Sequence, residues 1–141
     1  MNGTQNRPDG RTQTVAVVRD FLSALETGEI DAATAHLHPT IVWHNVSLPK
    51  IVGIRRVNRI LHGMERYSIG FEARLHHIAG TESAVLTERT DVLQWRRFRM
   101  EFWVCGTFEI EDGRIAVWRD YFSAKNFAWA MLLGLVRSVR S

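Results

Sequence analysis

Three ionisable side chains stand where an acid–base site would need them. Thr87-Glu88-Arg89-Thr90-Asp91 and Trp118-Arg119-Asp120-Tyr121-Phe122 each set charge inside a run of Val, Leu, Ile, Phe and Trp. In an extended strand successive side chains alternate between faces, so Arg89 and Asp91 share one. If Asp120 reaches the same cavity, two carboxyl groups flank one guanidinium against an apolar wall. Such a wall resists two full negative charges, so one carboxyl can stay protonated while the other ionises. That pair suits the addition of water to a strained ether, in which the acid protonates the leaving oxygen and the base takes a proton from the water. Asn45 suits holding that water, because a carboxamide both donates and accepts. Each residue has a plainer alternative. Arg89 with Asp91 can be a structural ion pair, Asp120 with Arg119 a surface pair, Asn45 a turn residue and Trp43 a core residue.

Other chemistries find less support. His76 and His77 are adjacent and point apart on a strand, while His36 and His38 flank a helix end without a matching carboxylate, so no metal set is expected. The single cysteine, Cys105, excludes an internal disulfide and a thiolate zinc cluster. The net charge is +3 and the pI about 9.6. The arginines are dispersed, however, and no nucleic-acid motif accompanies them, so they are read as solvated surface. A chain of 141 residues is long enough for one cored domain, and charges interrupt every apolar stretch well short of a membrane span. Residues 1–11 are polar, with Gly3, Pro8 and Gly10, and lack an apolar leader region. They are expected to be a flexible tail ahead of a domain over 12–141, in a cytoplasmic protein.

The elements that must position these groups can be read from periodicity. Thr12 or Thr14 caps a helix to about Thr27, with Gly28 at its C′ position and Val15, Val18, Phe21, Leu22 and Leu25 as its stripe. A short helix follows over 31–37, stopped by Pro39, with Ile30, Ala33 and Leu37 facing inward. Residues 40–46 read as a strand in which Trp43 and Asn45 share a face. A third helix, about 54–65, turns Ile54, Val57, Ile60, Leu61 and Met64 inward. The period then changes. Residues 71–78, 84–95, 99–111 and 114–122 read as antiparallel strands joined by short turns at 79–81 and 111–113. Gly106 in mid-strand is expected to bend or bulge the sheet. Ser123 caps a last helix to about Val139, with Phe127, Met131, Leu132, Leu135 and Val136 as its apolar side. That stripe is wide enough to close a cup or make a dimer contact.

Helices, then antiparallel strands, then a helix make an α+β domain. A curled sheet with helices on one side leaves a pocket. Strand phase lines it with Leu93, Phe102, Val104, Trp118 and Phe122 beside Arg89, Asp91 and Asp120.

The segments Leu86-Thr87-Glu88-Arg89-Thr90-Asp91, Phe102-Trp103-Val104-Cys105-Gly106, Asp112-Gly113-Arg114-Ile115 and Trp118-Arg119-Asp120-Tyr121-Phe122 resemble the limonene-1,2-epoxide hydrolase family, most closely its actinobacterial branch. The resemblance runs from about Val15 to Val139. It implies a cone-shaped, cystatin- or NTF2-like α+β fold with a curved mixed sheet and a deep apolar pocket, usually as a homodimer. It also implies one-step, cofactor-free hydrolysis of a lipophilic epoxide to a vicinal diol. By position, Asp91 resembles the general acid, Asp120 the base that activates water, Arg89 the bridge between them and Asn45 a water-positioning residue. One departure stands out: where the family has Tyr-x-Asn, this chain has Trp43-His44-Asn45, and an indole donates but does not accept. Two other readings stay open, a cofactor-free isomerase or cyclase of the same fold and a non-catalytic cup for a hydrophobic ligand.

Overall fold

The computed structural model describes residues 9–140. Helix α1 (Gly10–Glu26) is followed by α2 (Ile30–Thr34), strands β1 (Leu37–Asn45) and β2 (Ile51–Val52), and helix α3 (Ile54–Arg66). Four long strands come next: β3 (Gly70–Gly80), β4 (Ala84–Trp95), β5 (Phe98–Glu111) and β6 (Arg114–Tyr121). Helix α4 (Ala124–Arg140) closes the chain. The six strands form one sheet in the order β2-β1-β6-β5-β4-β3. Every neighbouring pair is antiparallel except β1 and β6, which run parallel. The architecture is the expected α+β fold with a mixed sheet.

The β3–β4–β5–β6 meander follows from alternation and turn chemistry. Asp112 and Gly113 both take positive φ, 52° and 73°, the backbone a two-residue hairpin demands. Helix α1 lays its stripe on the concave face. Val18, Phe21 and Leu22 are buried there, and Phe21 meets Trp118 edge-on at 5.0 Å. Its N-terminal end is pinned by Thr14, whose Oγ1 donates to the Thr81 carbonyl at 2.7 Å.

Several boundaries differ from the sequence reading. Helix α1 starts at Gly10 with Asp9 as its cap, two residues inside the expected tail; residues 1–8 of that tail lie outside the described residues. Helix α2 ends at Thr34, and Pro39 lies inside β1 rather than stopping a helix. The β1–β6 register shifts between Leu37 and Val42, so the missing proline N–H falls in an irregular stretch where the ladder does not need it. The two-residue strand β2 is too short to carry a periodic signal. On α3, Val57 and Leu61 are buried while Ile60 faces outward.

Gly106 does not bulge its strand. The β4–β5 register runs unbroken through it, and the irregularities fall at 75–77 of β3 and 109–110 of β5 instead. Its role is space, because a Cβ there would collide with Arg89 Nη1 and come within 2.8 Å of Thr87 Oγ1 and 2.9 Å of Asp120 Oδ1. The last helix also differs. It packs through half-buried Phe127 and buried Ala130 and Gly134, while Met131, Leu132, Leu135 and Val136 of the expected apolar side are exposed. A helix follows its closest backbone approach, and Gly134 rides on β5, where a Cβ would lie 2.6 Å from the Arg99 carbonyl oxygen.

Candidate active site

Register decides which side chains meet. Across the concave face Ala73 pairs with Asp91, Asp91 with Phe102, Arg89 with Val104, and Gly106 with both Thr87 and Asp120. The parallel β1–β6 pair then sets Trp43 beside Trp118 and Asn45 beside Asp120. Laterally paired residues project to the same side of a sheet. Residues more than seventy positions apart in sequence are thereby collected on one surface.

Arg89 is 0% exposed and is among the largest side chains so deeply buried. Its guanidinium forks onto Asp91, with Nε donating to Oδ1 at 2.7 Å and Nη2 to Oδ2 at 3.0 Å. Nη1 donates to Thr87 Oγ1 at 3.1 Å. Asp120 Oδ1 stands 2.8 Å from Nη2 without a well-directed N–H, so charge holds that contact more than hydrogen bonding does. The other Asp120 oxygen, Oδ2, accepts from Trp118 Nε1 at 3.0 Å. Beneath the guanidinium, the Phe108 ring centroid is 5.8 Å from Cζ, a favourable place for a cation over a ring face.

This is a buried triad of one cation and two carboxyl groups. Burial pushes Asp91 up from its ordinary 3.8, against the lowering effect of the Arg89 fork. Burial likewise pushes Asp120 up, opposed by Arg89 and Trp118 and assisted by the Asp91 charge. Burial disfavours the charged guanidinium too, but its two acidic partners outweigh that and hold Arg89 protonated. One cation can neutralise one carboxylate, so a proton on the other carboxyl leaves the triad without net charge.

A cavity of about 280 Å³ opens onto the triad. Asp91, Asp120, Asn45, Trp43, Leu93, Phe102, Val104, Trp118 and Phe122 all line it, and Arg89 sits behind the two carboxyl groups. Every residue expected at the site is therefore found around one space. Trp43 stacks on Trp118 at 4.3 Å and 5°, and its Nε1 is buried without a protein partner. The remaining wall comes from residues that strand phase did not supply. Leu25, Ile30, Leu61 and Met64 descend from the helices, Phe71 from β3, and Phe127 from α4. Phe71 was legible, since it pairs with Leu93 on the same face. The helical residues were not, because periodicity marks a buried stripe without saying what it faces. Thr87, two residues before Arg89 and on its face, was also missed as a guanidinium partner.

The model of the limonene-1,2-epoxide hydrolase catalytic domain matches residues 12–134. The chain belongs to the limonene-1,2-epoxide hydrolase family. It is 43% identical over 122 residues to epoxide hydrolase EphG of Mycobacterium tuberculosis strain H37Rv, spanning 86% of this chain and 81% of that one. It superposes on the structure of a limonene-1,2-epoxide hydrolase-like epoxide hydrolase of M. tuberculosis with a TM-score of 0.86 at 42% identity, covering 92% and 96% of the two chains. More distant structures share the fold alone. An NTF2-like protein of Burkholderia pseudomallei matches at TM-score 0.73 and 12% identity over 84% of this chain and 97% of that one. The epoxide hydrolase/cyclase-like enzyme SalBIII of pyran ring formation in salinomycin matches at 0.70 and 12%, over 81% and 93%.

Proposed function

We propose that this member of the family hydrolyses a lipophilic epoxide to a vicinal diol in one step, with acid, base and charge bridge all supplied by the chain. The observation that carries the reading is the buried Asp91–Arg89–Asp120 triad beside a cavity whose other walls, Asn45 and Glu65 apart, are apolar. Family membership and the identity to a named epoxide hydrolase support the reaction class. The apolar wall supports a substrate with a hydrocarbon body, which displaces water from every part of the pocket except its polar end.

The roles follow from neighbours. Asn45 is the lateral partner of Asp120, so a water held by that carboxamide lies beside Asp120, which acts as base. Trp43 Nε1 offers the same water one donor. Asp91 lies beyond Arg89 with Leu93 and Phe102 around it, where the epoxide oxygen meets the acid. In the step itself, the water oxygen bonds to one ring carbon as its proton passes to Asp120. The carbon–oxygen bond breaks and Asp91 protonates the departing oxygen. The proton then returns from Asp120 to Asp91, with Arg89 between them keeping the charge balanced throughout. Water and substrate are the reactants, the diol leaves, and no covalent ester is formed.

Single turnover in ¹⁸O-labelled water tests this. The label is expected in the diol and not in the protein; label in the carboxylate of Asp91 or Asp120 would mean an ester intermediate and end the one-step reading. Asp120→Asn provides the second arm, with turnover lost and ligand affinity kept. Equal inactivity of wild type and variant on a panel of terpene, cyclic, steroidal and fatty epoxides, with equal ligand binding, would favour a binding cup instead.

Homodimeric assembly, which the family resemblance implies, is also proposed. Its best support is the convex sheet face, where Leu86, Trp103 and Tyr121 are exposed on neighbouring strands.

A further inference from the structure

A second apolar surface lies on α4, away from the convex face of the sheet. Phe127, Ala130 and Gly134 recur at helical spacing on its packed side, so Leu132, Leu135, Val136 and Val139 fall on the opposite side. These residues, with Trp129, are all exposed, Trp129 at 62% and Val139 at 85%. A helix that is apolar on both sides is stable where something covers the outer one.

Charge selects the cover. The ionisable groups of α4 are Lys125, Arg137 and Arg140, and residues 124–140 contain no acidic side chain. The adjoining β4–β5 turn adds Arg96, which lies over the Trp95 ring at 4.9 Å in an apolar groove with Phe98, Met131 and Leu135. A second copy docked symmetrically on this face would set cation against cation. An anionic surface complements it, and exposed Trp129 and Trp95 are of the type that settles at a lipid headgroup boundary.

We infer that α4 is a peripheral membrane-docking helix that seats the protein on anionic lipid. Phe127, on the same helix, lines the cavity, and Leu48, 57% exposed, lines it too. The same helix thus walls the pocket on its packed side and carries the docking surface on its outer side. Lipid docking itself does not depend on turnover.

The test is co-sedimentation of the full chain with vesicles of phosphatidylcholine alone or with one-third phosphatidylglycerol, in low and high salt. Affinity is expected to be at least about tenfold higher on the anionic vesicles and to fall with salt. Lys125→Gln with Arg140→Gln should weaken it by about 25-fold, roughly fivefold for each charge. Leu132→Glu with Val136→Glu should abolish it while circular dichroism and turnover of a water-dispersed epoxide stay unchanged. Failure of the wild type to sediment with anionic vesicles would overturn the inference, as would binding indifferent to the Glu pair. So would a wild-type dimer that the Glu pair splits, which would identify the cover as a second copy. Because the binding arm contains no epoxide, its failure leaves the hydrolase reading to be judged by the labelled-water experiment.

Discussion

Two carboxyl groups share one guanidinium in this site, and the sign of their titration has consequences for both activity and stability. Asp91 and Asp120 are each raised from 3.8 by burial. A group raised on folding contributes stability that is fully present below its unfolded pKa and is lost as pH rises through its folded pKa. Ionising the second carboxyl therefore costs the native state. Asp120→Asn should melt higher than wild type by a margin that widens as pH rises above the ordinary aspartate range, as read by thermal denaturation. The same variant should lose about 10²–10⁴-fold in turnover. The pH–rate profile of the wild type should be a bell. Its acidic limb, where the base protonates, lies above the ordinary aspartate value, and its alkaline limb marks loss of the proton from the acid. Both limbs belong to the coupled pair rather than to one residue. Trp43 offers a separate test, because an indole cannot accept from the water that Asn45 and Asp120 hold. Trp43→Tyr should raise kcat by about tenfold, the scale of one positioning hydrogen bond, whereas Trp43→Phe should bring no gain.

At the level of elements, two glycines let close-packed parts coexist. Gly106 leaves on β5 the space that Arg89, Thr87 and Asp120 fill from either side. Gly134 lets α4 lie directly on the β5 backbone, which carries Phe127 to within 5.2 Å of Phe102 and 5.3 Å of Phe122, centroid to centroid. Gly134→Ala forces the helix off Arg99, at an expected cost of about 1–3 kcal/mol in denaturant unfolding. Since Phe127 is wall and not chemistry, its displacement should raise KM severalfold with a smaller change in kcat. Elsewhere, Val92 is buried on the outward side of β4 beside a lattice of Glu72, Arg74, Arg99 and Glu101 with contacts of 2.9–3.9 Å. Those charges are half-exposed and add little to stability singly. Their service is to cover an apolar strand position.

For the whole molecule, the sheet order matters most. Placing β1 parallel to β6 brings a strand from the first third of the chain against the last one, and with it Trp43 and Asn45 against Trp118 and Asp120. The cup is then completed by helices from both ends of the sequence. Its outer surfaces carry two separate apolar regions, the convex sheet face and α4. If the sheet face is the dimer contact, Trp103→Glu should convert a dimer to a monomer in sedimentation velocity while the pocket, on the opposite face, retains ligand binding.

Much of this was determined by the sequence alone. Alternation made the four long strands legible, turn chemistry at 111–113 marked the last hairpin while the turn expected at 79–81 falls at 81–83, and the phase of Arg89 and Asp91 put both on one face. Those are local properties, set within a few residues by sterics and by the demand that one face be dry. Residue chemistry offered Asp120 and Asn45 as candidates, and family resemblance gave them roles. Tertiary structure alone decided what is non-local. It made Gly106 a gap rather than a bulge, because the atoms that need the gap belong to neighbouring strands. It carried Pro39 into β1, because the partner strand skips that stretch. It turned most of the stripe of α4 outward, because Gly134 gives the closest approach to β5. Finally, it put Thr87 and Trp118 in contact with the charged triad, because register across strands determines which buried donors reach which acceptors.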